Sequence, residues 1–511
     1  MKYKLNRMDG YLIKIIGSGH ANTDQQISEA YTRWPSSLST CMNRASLFKA
    51  MKQRLNEATE EKTRSLLTKI HETTVRLEPL IRESSDVEKE GFSQVLFEGT
   101  PWSELNYIPF ALVLVSLFKS YVVPAASLML PLLSWILPYI FLRVVYNVPI
   151  EFTDYTQLIW RMWNGRSLPK TPEELAAPDP PVDSVTQIKQ LLQNGWTLFT
   201  LGQALWQPIQ QARHFMTLDR DCQMLGNSIL SLSSSSKGLL STWEGWLPPW
   251  FSYWTSLCPS EERQAFAFVR DYPYWLPHMC RALGRFEATF LLACRKDTVP
   301  AVFVKSEKPL IAIQGFGDPS IPMDKRVLSC ISLGGKAHRH AIVTGPNRGG
   351  KSSCMRGVLL NVMTAHTFGA SFSEKLQLSY FSWIADGMRL DDLPGTMSMF
   401  EREVSFASSI LHKEGGSGLV LYDELFHSTN PPDAICTSEL FCKNLWKKEN
   451  CVSMVSTHVY SLARSAPSTV KALCVGAKKD GDRIDFSYKL QQGICEVSSV
   501  NLLLGQYGFS Y

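Results

Sequence analysis

Residues 338–363, HRHAIVTGPNRGGKSSCMRGVLLNVM, place Gly345, four further residues, then Gly350, Lys351 and Ser352 between a short apolar strand and a helix-forming stretch. This is the phosphate-loop (Walker A) pattern in its strand–loop–helix setting. The glycines let backbone N–H groups curl around phosphate oxygens with no Cβ in the way. Lys351 would reach the β and γ phosphates and the Ser352 hydroxyl would ligate Mg2+. The helix N-terminus adds a favourable dipole.

About seventy residues on, 418–424 reads GLVLYDE, an apolar strand ending in two acids. Asp423 fits a Mg2+-holding position, and Glu424 fits the general base that orients and deprotonates an attacking water. A third apolar run, CVSMVSTHV at 451–459, delivers His458 to its end, where an imidazole can contact a γ phosphate. The expected cofactors are therefore ATP and Mg2+, and the activity Mg2+-dependent ATP hydrolysis. From about residue 300 the runs AVFV, PLIAI, HAIVTG, KLQLSYFSWI, GLVLYDE, CVSMVSTH, ALCVGA and RIDFSYKL alternate with helical stretches, which predicts an α/β domain with a largely parallel sheet.

Upstream the texture differs. Charged residues are 19% of the 511, below the roughly 25% usual for soluble domains. The deficit concentrates at 105–142, where Lys119 is the lone Asp, Glu, Lys or Arg in 38 positions. Residues 120–142, SYVVPAASLMLPLLSWILPYIFL, are 23 uncharged positions, about 34 Å of helix against a hydrocarbon core of about 30 Å. Pro124, Pro131 and Pro138 recur every seven residues on one face, a pattern that bilayers tolerate better than exposed soluble helices do. Three readings stay open: one span, a re-entrant hairpin turning at Lys119 and Ser120, or a buried hairpin of a soluble domain. The first sixteen residues carry Lys2, Lys4, Arg7, Asp9 and Lys14 with no run fit for a signal h-region.

The remaining organisation rests on periodicity and punctuation. Residues 41–83 read as amphipathic helix, 167–183 as a proline-rich linker, and 184–230 and 261–296 as helical. A serine-rich loop is expected at 231–236, and then a tryptophan-rich stretch, 243–254. Those tryptophans suit a core or membrane-facing anchors, with a base-stacking platform as the other use of such a cluster. Twelve cysteines without a CxxC pair argue for reduced thiols in an intracellular compartment rather than a zinc site or disulfide framework. A net charge of +5 over the whole chain announces no nucleic-acid surface by itself.

The order TGPNRGGKSS, DDLPGTMSMFEREVSFASSIL, LVLYDELFHSTNPPDA and STHVYSLA resembles the ATPase domain of the MutS family, the mismatch-repair branch of the ABC-type ATPases. The LSGGQ of transporter cassettes is absent. The resemblance implies an α/β P-loop NTPase domain of ABC/MutS type preceded by a mainly α-helical lever-like region, to which the composition of 105–142 adds a hydrophobic helical membrane segment. It implies nucleotide contacts from Gly345, Pro346, Asn347, Gly349, Gly350, Lys351, Ser352 and Ser353, metal ligands Ser352 and Asp423, and catalysis by Glu424, His458 and Lys351. Ser398 and Glu403 match the signature helix start, which in the family reaches the γ phosphate of the partner subunit, so a homodimer through this domain is implied. Thr429 and Asn430 match a loop that crosses that interface. Phe426, His427 and Ser428 depart from the family's Gly-Arg-Gly, and Pro431 and Pro432 stiffen the chain directly after that loop.

Residues 282–293, ALGRFEATFLLA, resemble the end of the lever helices, and 315–321, GFGDPSI, the lead into the ATPase domain. The Phe-x-Glu wedge of mismatch readers occurs here as Phe372-Ser373-Glu374, inside the ATPase domain, and reads as a chance match. The expected organisation is 1–104 mainly helical, 105–146 hydrophobic, 147–184 linker, 185–298 lever-like helices and 299–511 the ATPase domain. The expectation is a membrane-associated ATPase with its catalytic domain intracellular and no small-molecule substrate besides ATP. The alternative is a soluble nuclear or cytoplasmic family member binding double-stranded DNA.

Overall fold

The computed structural model describes residues 8–32, 34–81, 92–163, 184–388, 397–480 and 483–497. They form two compact units: Met1–Thr68, Lys237–Tyr253 and His278–Tyr511 in the first, Lys69–Ser236 and Trp254–Pro277 in the second.

The first unit holds two larger sheets and a two-stranded antiparallel pair, Val299–Pro300 with Ala370–Ser371. Strands β1 (Val299–Pro300), β2 (Val302–Phe303), β3 (Leu310–Phe316), β4 (Ser329–Gly334), β5 (His340–Thr344), β6 (Ala370–Ser371), β7 (Lys375–Leu378), β8 (Trp383–Gly387), β9 (Gly418–Tyr422), β10 (Cys451–Ser456), β11 (Val470–Asp480) and β12 (Arg483–Gln492) succeed one another along the chain. The larger sheet has the order β12-β11-β5-β10-β9-β8. Its neighbours pair in parallel except β11 with β12. β5, β9 and β10 are buried at every position, as expected of strands covered on both faces.

The smaller sheet, β2-β7-β3-β4, is mixed, against the largely parallel arrangement expected for the whole domain. The run KLQLSYFSWI splits between the sheets. β7 alternates exposed and buried residues, whereas β8 is nearly all buried. One-sided burial thus separates what composition joined.

The expected helix at 41–83 is two main helices and a short one, Leu38–Arg54, Glu57–Arg76 and Glu78–Ile81. The break falls where the Asn56 carboxamide accepts the Thr59 N–H at 2.8 Å and starts a new turn. Leu38–Arg54 packs within the first unit. Arg44 Nη1 donates to the His366 carbonyl at 2.7 Å and Lys52 Nζ to that of Arg295 at 2.9 Å. Trp243 is fully buried, its Nε1 donating to Thr63 Oγ1 at 2.8 Å, so this member of the tryptophan-rich stretch is core. All twelve cysteines are free thiols.

Gly357 sits inside the helix Lys351–Phe368, where a Cβ would stand 2.9 Å from the Gly317 carbonyl oxygen. Alanine would raise helix propensity by about 1 kcal/mol, yet the forced backbone shift costs about 1–3 kcal/mol. Gly357→Ala should therefore lower the urea midpoint of this domain; a higher midpoint would show that segment 315–321 simply yields.

In the second unit the apolar region is helical throughout: Ala111–Leu117, a π-helical Phe118–Val122, Val123–Ile140 and a π-helical Phe141–Val145. It makes no reversal at Lys119 and Ser120. The helix Ser184–Thr242 runs 59 residues through Pro208 and through the serine cluster expected to be a loop. The serines there stay helical because they are packed: Ser233, Ser235 and Ser236 are buried, and Ser234 Oγ turns back to the Ser231 carbonyl at 3.0 Å. Tertiary burial overrides their weak propensity. Beside it lies Glu262–Asp271, approached so closely that a Cβ on Gly226 would overlap the Glu262 carbonyl. The helical stretch 261–296 divides into this helix and Trp275–Cys294. Within the expected linker 147–184, Phe152–Trp163 is a helix, and the proline-rich 167–183 lies outside the described residues.

Candidate nucleotide-binding site

β5 ends at Thr344 and the helix Lys351–Phe368 begins after a six-residue turn, so the phosphate-loop pattern spans that turn. Three residues there hold left-handed backbone: Gly345 (φ 145°), Arg348 (φ 63°) and Gly350 (φ 98°). Side chains other than glycine are strained in that region, which accounts for two of the three. A cavity of about 410 Å3 opens over the loop, lined by Pro346, Asn347, Arg348, Gly350, Lys351, Ser352 and Ser353 and by Glu424 across from them. Gly345 and Gly349 shape the turn without lining it. Lys351 is buried, its Nζ folded back to the carbonyls of Gly345 (2.8 Å) and Pro346 (3.2 Å). Burial pulls its ammonium below the ordinary lysine value, while the Glu424 and Asp423 carboxylates oppose that shift.

The two acids after β9 are held by a residue of the STHVYSLA run to which the motif assigns no role. Ser456, last in β10, donates its hydroxyl to Asp423 Oδ1 and accepts the Glu424 N–H at 2.9 Å. Glu424 is itself left-handed, φ 53°. Its Oε1 lies 3.5 Å from His458 Nε2. That imidazole is the largest influence holding the Glu424 carboxyl below its usual range, with burial opposing and His427 and Lys351 helping. A third acid, Asp386, lies in β8, and burial with the nearby Asp423 pushes it up to about 6. Ser352 and Asp423 are the side chains suited to Mg2+: a hydroxyl at the helix start and a carboxylate oriented by Ser456.

Ser398 does not line this cavity. It caps the helix Met399–Leu411, accepting the Glu401 N–H at 3.2 Å, and the preceding 389–396 lie outside the described residues. Glu403, matched to the same signature, is buried rather than presented outward. It accepts from Ser428 Oγ at 2.5 Å and lies 3.0 Å from His427 Nδ1, gripping the loop just after Asp423 and Glu424. Asn430 caps Pro431–Leu445 through the Asp433 N–H at 3.1 Å. Phe426 is buried with φ 48° against Tyr422 and Phe441, so the aromatic that replaces a glycine serves as core. Phe372 is likewise buried, with the Arg295 guanidinium 5.5 Å from its ring, which leaves no free face for a base.

Glu403→Ala should leave ATP affinity within about twofold yet lower kcat by roughly tenfold, because it loosens loop 427–428 behind Glu424 without touching the cavity. Equal kcat values would show that the loop holds itself.

Periodicity missed Tyr488. It lies in β12 with φ 52°, lines the same cavity, and its ring would stand 3.3 Å from a Cβ on Gly350. In the run RIDFSYKL it reads as an ordinary strand aromatic, with nothing to mark it. Residues 341–502 match the family model of MutS domain V.

Proposed function

We propose, on the premise that this chain is a MutS-family protein through its domain V, that it is a membrane-anchored, Mg2+-dependent ATP hydrolase with composite sites formed by two copies. The carrying observation is that the phosphate loop, Lys351 and Glu424 border one cavity, with Asp423 and Glu424 clamped by a single serine. Lys351 leaves its two carbonyl partners for the β and γ phosphates, and Tyr488 offers an aromatic wall to the base. Ser352 and Asp423 would hold Mg2+, which would supply charge neutralisation to the transferring phosphoryl group. Glu424 accepts the proton of the attacking water, and His458, beside it, faces the departing phosphate. Ser398 completes the site of the partner subunit, and closure of the pair moves the helical region carrying residues 111–242.

The membrane reading is supported by Ala111–Leu130, a helical stretch long and apolar enough to cross and only 17% buried. The test is specific hydrolysis against protein concentration in vesicles. A composite site makes it rise with concentration before levelling; a flat profile means that each copy works alone.

The family match favours a second reading, a duplex-DNA-binding homologue whose long helices act as lever and clamp. Gel shifts with homoduplex and mismatched DNA at stated salt decide it: no ATP-sensitive binding to either removes it.

A further inference from the structure

Besides the nucleotide cavity, the first unit holds a second one, of about 380 Å3, at the opposite end of the phosphate-loop helix. Four stretches far apart in sequence wall it: Leu38–Arg54, residues 245–249, Trp275–Cys294 and the last turn of Lys351–Phe368. The frame is tight. The phosphate-loop helix stops at Gly369 (φ 74°), where a Cβ would stand 2.4 Å from the Ala45 nitrogen, so the two backbones meet with no side chain between them. The Trp246 Nε1–H donates to the Leu47 carbonyl at 3.1 Å and ties residues 245–249 to the same helix.

Most of the wall is apolar: Met51, Leu247, Phe286 and Phe368 are buried behind it. Two arginines, Arg44 and Arg285, also line it, and no acid is among the described lining residues. Arg44 Nη1 donates to the His366 carbonyl at 2.7 Å and Arg285 Nη2 to that of Thr367 at 3.4 Å, at the negative end of the helix dipole. Those bonds use one N–H of each guanidinium, which carries five. Capping a helix end thus accounts for arginines here but not for two of them bordering a cavity without a counter-charge. Burial, and after it the charge of Arg285, pull Arg44 down to about 10, so it is still a cation at neutral pH. The Arg54 guanidinium, 5.8 Å from the Trp246 ring centre, adds a third positive group beside the opening. Like charges gathered at an apolar hollow repel one another, and an anion between them removes that cost.

We propose that this cavity binds a small amphipathic anion, whose apolar body, a ring or a short chain, sits against Trp246, Phe286 and Leu47 while its carboxylate, sulfonate or phosphate head is shared by Arg44 and Arg285. The planar forks of arginine suit such heads, because they donate two parallel hydrogen bonds. The volume falls within the range of about 300–1,000 Å3 usual for small-molecule sites. The two cavities share no lining residue, so the proposal stands apart from the nucleotide reading.

Calorimetry on the full chain tests it with two pairs of probes: naphthalene-2-sulfonate against the neutral naphthalene-2-sulfonamide, and octanoate against octanamide. In at least one pair the anion should bind roughly tenfold or more tightly than its neutral twin, since charge-assisted hydrogen bonds are about twice as strong as neutral ones. The pair that does so identifies the body that the walls fit. Equal affinities within both pairs, or no binding by any probe, would overturn the proposal. Arg285→Gln should erase the preference for the anion, and Arg285→Lys, which keeps the charge, should retain most of it; a preference that survives Arg285→Gln would place the anion elsewhere. Ala282→Trp fills the cavity while keeping both guanidiniums and should abolish binding of anion and neutral twin alike. Lys351→Ala should bind the anion as the parent does, and a loss there would assign the probe to the nucleotide cavity and overturn the second site. Should Arg285→Gln not fold, the comparison of twins on the parent chain still decides.

Discussion

Lys351→Ala is expected to abolish measurable ATP binding, weakening it by roughly a hundredfold or more. A buried ammonium is the cation the phosphate loop holds ready, and charge-assisted hydrogen bonds to phosphate contribute about 1.5–3 kcal/mol each. In the free protein its two partners are the Gly345 and Pro346 carbonyls. Those are neutral acceptors that bound phosphates outcompete. Titration calorimetry with ATP in the presence of Mg2+ reads the loss directly. Unchanged affinity would mean that nucleotide does not occupy this cavity. Thermal unfolding of the free variant separates lost binding from a collapsed loop, since only the latter lowers the midpoint without nucleotide.

Glu424→Gln is expected to bind ATP like the parent but hydrolyse it roughly 100- to 10,000-fold more slowly, the usual contribution of a positioned base. The amide keeps the size and hydrogen-bonding reach of the carboxylate and cannot take the proton. Trapped ATP should then hold two copies together, visible by light scattering. Equal hydrolysis rates would falsify the assignment of the base, and a variant that stays monomeric with ATP would remove the paired site. The His458 contact adds a pH signature. Because that imidazole holds the Glu424 carboxyl below its usual range, the base stays ionised further into acid. His458→Gln should therefore move the acid limb of the kcat profile to higher pH. An unmoved limb would show that another group sets it.

Much of the site was legible because its parts are contiguous. A glycine loop that must bend left-handed, a lysine and serine at a helix start, and two acids after an apolar strand are each constrained within a few residues, and each leaves a pattern in the letters. The strand runs were legible too, since strands buried on both faces must be apolar at every position. What escaped were partners joined by register. Ser456 holds Asp423 and Glu424 because β10 pairs in parallel with β9, Val455 opposite Tyr422, so that the two strands end side by side. Asp386 nears Asp423 for the same reason, through β8.

The sequence alone determined where the glycine loop bends and that an uncharged segment exists, because both depend on neighbours along the chain. Tertiary structure decided the rest. It showed Glu403 to be a buried clamp rather than an outward signature, and Phe426 to be core. It also made a helix of the serine cluster, where packing outweighs propensity. It also joined residues 38–54 to the C-terminal part of the chain, through Arg44 on the His366 carbonyl and Lys52 on that of Arg295, contacts that no local stretch can reveal.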